Sequence, residues 1–165
     1  MILNGKVHVY GSNVNTDVII PGKYTKTLDL SNLADHVLED IDPDFRSRMN
    51  KGDIVVADMN FGCGSSREQA PIALKVAGVS VVIARSFARI FFRNSINIGL
   101  PVIEVPHHNI EWGDVVSVNL TEGIVINYTK KEEYLGTTMP EVMVRILEEG
   151  GLASYLKKHR DYEVS

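Results

Sequence analysis

Residues 53–105 alternate apolar strand patterns with helical patterns, and this alternation constrains the fold more than any other feature of the 165-residue chain. The strand patterns are short and rich in β-branched residues: DIVVADM at 53–59, VSVVIA at 79–84 and LPVIEV at 100–105. The helical patterns between them are QAPIALKVAG at 69–78 and SFARIFFRNSIN at 86–97. Strands that alternate with helices are joined by crossover connections and lie parallel in one sheet. The sequence therefore predicts an α/β fold with a mainly parallel sheet flanked by helices.

The segments on either side predict additional antiparallel strands and further helices. LNGKVHVY at 3–10 has the alternation of a strand, and DVVSVNL with IVINY, at 114–120 and 124–128, predict a β-hairpin. Helices are predicted at 32–41, after Ser31 as N-cap, and in PEVMVRILEEGG and LASYLKKHR near the end of the chain. No repeat or linker interrupts these patterns. We therefore expect residues 1–165 to form a single α/β domain.

Charge and cysteine content exclude several classes of protein. The 17 Lys and Arg residues and the 21 Asp and Glu residues give a formal net charge of −4, which disfavours a nucleic-acid binder. No segment approaches the roughly 20 apolar residues that span a bilayer, and the first residues lack a signal-peptide pattern. A cytoplasmic protein without membrane contact is therefore predicted. The single cysteine, Cys63, is insufficient for an internal disulfide or an iron–sulfur cluster, so no metal site is predicted in this chain.

The segment NFGCGSSRE, between the first strand pattern and the first helical pattern, is the strongest candidate for a functional site. Its glycines, Gly62 and Gly64, allow backbone N–H groups to point into a pocket, and a helix N-terminus favours an anion. Ser65 and Glu68 also have the spacing of a capping box, which needs no ligand. Arg67 favours the anion-binding alternative, because a guanidinium in the first turn opposes the helix dipole unless it binds a carboxylate or phosphate.

Other functional motifs match this chain poorly. A dinucleotide-binding fingerprint needs glycine in place of Arg67 and an acidic residue about twenty positions later, and neither is present. The patterns of a P-loop and of a nucleophile elbow are absent from the sequence. Cys63 as a nucleophile lacks a histidine at a diagnostic spacing. Arg85, Arg89 and Arg93 recur every four residues, which predicts a basic stripe on one face of the second helix.

Several long motifs, in order along the chain, resemble one family. Asn15-Thr16-Asp17 before the IIPG loop, then NFGCGSSREQAPIAL and ARSFARIFFRNSINIGLP, closely resemble the small subunits of 3-isopropylmalate dehydratase and homoaconitase in the aconitase superfamily. The resemblance covers about residues 3–105, and GGLASYLKK near the C-terminus also fits. It implies the swivelling β/β/α domain of aconitases, present here as a separate polypeptide that docks onto a large subunit holding a [4Fe-4S] cluster.

The resemblance also implies a reaction and the residues that perform it. Enzymes of this family remove water from a hydroxy acid and add it back with the hydroxyl on the neighbouring carbon. The chemistry needs a base and a Lewis acid, the latter supplied by the cluster of the large subunit. By resemblance Ser65 is the base, while Ser66 and Arg67 hold substrate carboxylates. The Ser65 hydroxyl is too weakly acidic for this role unless a helix N-terminus, a cation and exclusion of water stabilise its alkoxide.

The loop PGKYTKT at 21–27 occupies the place where the family reads the variable group of the substrate. Lys26 stands where homoaconitase-type and aconitase-type proteins tend to have arginine and isopropylmalate-specific ones are often apolar. A relaxed or tricarboxylate-leaning specificity is predicted, although the lysine stem can equally lie along an isopropyl group. Asp17 is expected to shape this loop and to orient Arg67 or the serine turn, with an Asx-turn as the alternative.

The leading prediction is the small subunit of an iron–sulfur hydro-lyase that interconverts 3-isopropylmalate and 2-isopropylmalate in leucine biosynthesis. Homoaconitase or a dimethylmalate-type dehydratase is the alternative within the superfamily. A protein that binds a carboxylate or phosphate without catalysis is an alternative of a different class. As an enzyme the chain is expected to act with its large subunit on a di- or tricarboxylate, and when isolated it can self-associate through an exposed docking face.

Overall fold

The computed structural model describes residues 1–159. Within them the strands are β1 (Ile2–Val9), β2 (Ile54–Ala57), β3 (Val81–Ala84), β4 (Val102–Glu104), β5 (Val115–Asn119), β6 (Ile124–Asn127) and β7 (Glu132–Leu135). The α-helices are α1 (Thr16–Ile19), α2 (Leu30–His36), α3 (Phe45–Arg48), α4 (Gln69–Ala77), α5 (Arg89–Ile98), α6 (Glu141–Glu148) and α7 (Leu152–His159). A 3-10 turn, Gly22–Tyr24, lies between α1 and α2.

All these strands belong to one mixed sheet in the order β4-β3-β2-β1-β5-β6-β7. β1 to β4 form its parallel half, in which Val9 lies opposite Val56 and Ala57 lies opposite Ala84. β5, β6 and β7 extend the sheet in antiparallel fashion from the other side of β1. The predicted parallel sheet with additional antiparallel strands is therefore confirmed, including the β5–β6 hairpin.

The parallel half contains the most deeply buried strands. Every residue of β2 and of β3 is buried, as expected for apolar parallel strands that are covered on both faces. α4 contributes Ala70, Ala73 and Leu74 to the same core. The carboxyl ends of parallel strands lie at one edge of a sheet, so the turns after β2 and β3 leave the sheet side by side. An isolated parallel bridge between Phe61 and Phe87 joins these two turns.

Three local predictions differ from the structure. α2 begins after Asp29 rather than Ser31, because the Asp29 carboxylate accepts both the backbone N–H of Ser31, at 3.0 Å, and the Ser31 hydroxyl, at 2.7 Å. It ends at His36 rather than residue 41, because the backbone is extended at Val37. α5 begins at Arg89 rather than residue 86, because the bridge to Phe61 holds the preceding segment extended. β7 was not predicted, since EEYL is too polar to be recognised as a strand without its partner β6. The end of the predicted last helix, Arg160, lies outside the described residues.

One of the three arginines in the predicted basic stripe, Arg85, does not lie on the helix. Arg85 precedes α5, and its guanidinium is bonded to the Asp58 carboxylate at 3.1 Å and to the carbonyl oxygens of Pro106 and His108 at 2.9 and 3.0 Å. It therefore ties the turn after β2 to the loop after β4. Burial lowers the pKa of His108 to about 4, and the nearby Arg85 charge acts in the same direction. None of the helices within residues 1–159 is long and apolar enough to cross a bilayer.

Candidate active site

The glycine-rich turn after β2 packs against the segment that follows β1. The Gly62 N–H donates to the Val14 carbonyl at 2.8 Å, and the Thr16 N–H donates to the Cys63 carbonyl at 3.0 Å. The Thr16 hydroxyl, which is buried, donates to the Ser65 carbonyl at 2.7 Å. These bonds join the N-T-D motif to the serine turn. Thr16 was not recognised from the sequence as a functional residue, because a buried hydroxyl bonded to a backbone group has no sequence pattern.

Gly62 and Gly64 both have the left-handed backbone conformation that glycine favours, with φ of +82° and +90°. At Gly62 there is also no room for a side chain, since an ideal Cβ would lie 2.1 Å from Cγ of Phe91. At Gly64 the same atom would lie 3.5 Å from Asn15, an ordinary contact. The turn therefore depends on Gly62 for both conformation and space, and on Gly64 for conformation alone.

Gly62→Ala is expected to lower the free energy of unfolding by about 3 kcal/mol, because it combines backbone strain with overpacking against Phe91. Gly11→Ala is the matched control, since a Cβ at Gly11 would meet nothing within 4 Å. Urea unfolding of the two variants beside the wild type measures the difference. A Gly62→Ala protein as stable as the Gly11→Ala protein would contradict the close approach of α5 to this turn.

The hydroxyl groups of Ser65 and Ser66 are exposed and make no hydrogen bond within residues 1–159. The predicted capping box does not form, because α4 begins at Gln69 and no side chain caps it. Ser65 consequently lies about a turn ahead of the helix, where the helix dipole acts only weakly. Both hydroxyls remain available to a ligand.

Arg67 lies at the end of this turn and pairs with Asp17. Its Nη2 atom is 2.6 Å from the Asp17 carboxylate, so the predicted N-T-D loop and the serine turn meet at this ion pair. Asn15, rather than Asp17, makes the Asx-type cap of α1, accepting the Val18 N–H at 2.9 Å. The side chain of Arg67 is only 27% exposed, and its Nη1 atom is buried without a hydrogen-bond partner. An unsatisfied guanidinium nitrogen, in the same turn as two free hydroxyls, is suited to a carboxylate ligand.

The loop that contains Lys26 lies against Arg67 through its first residue. An ideal Cβ at Gly22 would be 2.8 Å from Nη1 of Arg67, so a larger residue at position 22 would displace the guanidinium. Gln69 Nε2 donates to the Thr25 carbonyl at 3.5 Å, a second link to the same turn. Lys26 itself is exposed and has no ion pair with any described residue. The role of Gly22 was missed from the sequence, where Pro21-Gly22 has the composition of an ordinary turn.

The described residues do not fit a metal cluster. No group of three or more His, Cys, Asp or Glu side chains within residues 1–159 is arranged to hold a metal ion. Cys63, in the middle of the turn, is half-buried and is the one cysteine of the sequence. An iron–sulfur cluster needs several thiolate ligands, which a single cysteine does not supply.

A buried strand, a glycine turn and the Ser-Ser-Arg segment that follows it belong to a domain of the aconitase type. Residues 41–108 match the Aconitase C-terminal domain family. A 3-isopropylmalate dehydratase small subunit of Endomicrobium trichonymphae is 57% identical, over 95% of this chain and 98% of that protein. A 2,3-dimethylmalate dehydratase small subunit of Eubacterium barkeri is 53% identical, over 94% and 97%.

The fold agrees with these sequence relatives. The crystal structure of 3-isopropylmalate dehydratase from Methanocaldococcus jannaschii matches with a TM-score of 0.93 and 44% identity, over 99% of this chain and 98% of that one. The chain belongs to the family of 3-isopropylmalate dehydratase small subunits. The predicted aconitase-type swivel fold is thereby confirmed.

Proposed function

We propose that this chain is the small subunit of a hydro-lyase that interconverts 3-isopropylmalate and 2-isopropylmalate through an alkene intermediate. It acts with a large subunit that carries the [4Fe-4S] cluster, and residues 1–165 form a single swivel domain. The observation that supports this proposal most is a single turn that contains Arg67 and the free hydroxyls of Ser65 and Ser66. The near full-length identity to dehydratase small subunits supports the reaction type.

The proposed roles follow the charges of the substrate. A malate-type substrate has two carboxylates, and Arg67 and Ser66 are proposed to bind one of them. Asp17 lies 2.6 Å from Nη2 of the Arg67 guanidinium, and Nη1 is left without a hydrogen-bond partner for the carboxylate to supply. Because Gly22 lies over Nη1, the 22–26 loop is proposed to border the carboxylate site.

Ser65 is proposed to move the proton. Its alkoxide removes a proton from the carbon next to a carboxylate and becomes the neutral hydroxyl, while the C–O bond of the hydroxyl on the neighbouring carbon breaks. The alkene forms, and the departing hydroxide together with the proton now on Ser65 makes up the water that is lost. Rehydration reverses these steps with the hydroxyl on the other carbon. The cluster of the large subunit would supply a Lewis acid for the departing hydroxyl.

A serine alkoxide needs a positive and dry environment. The start of α4 is too distant to supply it alone, so the charge of Arg67 and the docked large subunit have to contribute most. The exposure of Ser65 in the isolated chain agrees with a site that another subunit completes. Because another subunit has to complete the site, the small subunit alone is expected to be inactive.

Anaerobic reconstitution with the cognate, cluster-loaded large subunit tests the proposal. The absorbance of the alkene is measured: it rises as 3-isopropylmalate or 2,3-dimethylmalate is dehydrated, and it falls as homoaconitate is hydrated. Copurification of the two chains and preferred turnover of 3-isopropylmalate are the expected results. If the chain does not bind the large subunit but binds dicarboxylates by itself, it is a non-catalytic binding protein. Preferred turnover of homoaconitate would identify a homoaconitase subunit.

A dimethylmalate dehydratase subunit is the second candidate. The relative from Eubacterium barkeri is almost as similar to this chain as the 3-isopropylmalate dehydratase subunits. The two substrates differ in the apolar groups carried by the same malate core. Preferred turnover of 2,3-dimethylmalate in the reconstitution would select this candidate.

Lys26→Val is expected to lower the ratio of kcat/KM for homoaconitate to that for 3-isopropylmalate by about tenfold, because a cation for a third carboxylate is lost. Lys157→Val, at an exposed lysine of α7, is the matched control. Reconstituted complexes are assayed on both substrates. An unchanged ratio would show that Lys26 does not contact the variable group.

A further inference from the structure

A cluster outside the serine turn connects the Lys26 loop to α2. The rings of Tyr24 and His36 are stacked with centroids 3.8 Å apart and an interplanar angle of 2°. Nδ1 of His36 is 2.7 Å from the Glu39 carboxylate. We call these three residues the α2 clamp. Their side chains are only partly exposed, at 31% for His36 and 29% for Glu39.

Glu39 acts on both rings of the clamp. Burial opposes its ionisation, but hydrogen bonds from His36 and Tyr24 outweigh burial and hold the pKa of the Glu39 carboxyl below its usual value. Glu39 is therefore ionised at neutral pH and fixes the plane of the imidazole. An imidazole held in this way is a rigid platform for the tyrosine ring.

The clamp and Arg67 hold opposite parts of one small turn. The Gly22–Tyr24 turn is closed by the Thr25 hydroxyl, which donates to the Gly22 carbonyl at 2.7 Å. Gly22 lies against the Arg67 guanidinium, while Tyr24, two residues later, lies on His36. A compact turn moves as a unit, so the position of Tyr24 sets the position of Gly22 over Arg67 and the direction of Lys26.

We propose that the α2 clamp of Tyr24, His36 and Glu39 positions the 22–26 turn over Arg67, which makes His36 a positioning residue for substrate binding. This inference rests on the proposed function, because Arg67 and Lys26 contact the substrate only in that proposal. His36 does not touch the reacting atoms. Its effect is therefore on substrate affinity rather than on the proton-transfer step.

The test compares clamp variants in the complex reconstituted with the large subunit. His36→Ala is expected to raise KM for 3-isopropylmalate about five- to tenfold, the size of one aromatic pair, with kcat within about twofold of wild type. His36→Phe restores the stack without the Glu39 bond and is expected to recover most of the loss. His107→Ala, at an exposed histidine far along the chain, is the matched control and should leave KM unchanged.

A double-mutant cycle keeps the test informative if one variant folds poorly. Tyr24→Ala and His36→Ala should raise KM by similar factors, and the double variant by no more than either alone, since both remove one contact. Effects that multiply, or a His36→Ala complex with unchanged or lower KM, would overturn the inference. Turnover by the wild-type complex is measured first, so that failure of the proposed function is seen separately; the variants are then compared on whichever substrate that complex uses.

Discussion

Ser65→Ala is expected to lower kcat of the reconstituted complex by about 10³-fold, because it removes the only group proposed to accept the substrate proton. KM should change little, since Ser66 and Arg67 still bind the carboxylate. The Ser65 hydroxyl makes no hydrogen bond within residues 1–159, so its loss leaves no described partner unsatisfied. Steady-state alkene formation under anaerobic conditions measures both constants.

Ser47→Ala is the control for this variant. Ser47 is an exposed serine of α3 that donates to the Asp44 carbonyl at 3.0 Å, remote from the turn in sequence. Both variants should bind the large subunit as wild type does, as measured by copurification. A Ser65→Ala complex with near wild-type kcat would exclude Ser65 as the base and leave substrate binding as the function of the turn.

Arg67→Lys is expected to lower kcat/KM by about 100-fold, chiefly through KM. Lysine keeps the positive charge but lacks the planar fork with which arginine binds two partners at once. The Asp17 carboxylate, 2.6 Å from Nη2 in the wild type, would then compete with the substrate for a single ammonium group. Loss of one bidentate charged contact corresponds to about 2–3 kcal/mol, which gives an effect of this size.

Arg93→Lys is the matched control, since Arg93 is an exposed arginine of α5 without an ion pair among the described residues. Asp17→Asn, combined with Arg67→Lys, then tests whether the two residues act together. Asp17→Asn should cost less in the Arg67→Lys background than in wild type. Equal costs in both backgrounds would mean that Asp17 acts on the loop and not on Arg67.

Much of the fold could be predicted because its signals are local. The apolar runs of β2 and β3 predict buried strands whatever lies beside them, and Gly78 and Gly99 end α4 and α5 with the expected left-handed caps. The polar strand β7 could not be predicted, because only its pairing with β6 makes it a strand. The start of α2 was missed by a similar cause, since Asp29 and Ser31 are both good caps and local propensity does not choose between them.

The candidate site also has residues that the sequence could predict and contacts that it could not. Ser65, Ser66 and Arg67 are neighbours in the chain, so a motif is sufficient to propose them. Arg85 illustrates the opposite case: its spacing predicts a helix face, but its guanidinium instead binds Asp58 and two carbonyl oxygens of a distant loop. A spacing of four residues predicts one helix face only where the helix includes every residue of the series. Here the bridge between Phe61 and Phe87 keeps the segment that contains Arg85 out of α5.

The sequence by itself determined the alternation of strands and helices, the glycine turn and the family to which the chain belongs, because each depends on residues close together in the chain. Only the tertiary structure decided that Asp17 pairs with Arg67, that Gly22 covers the same guanidinium and that His36 carries Tyr24. These contacts join separate loops at the edge of the sheet where the parallel strands end. Their geometry depends on strand order and packing, which residue spacing does not encode.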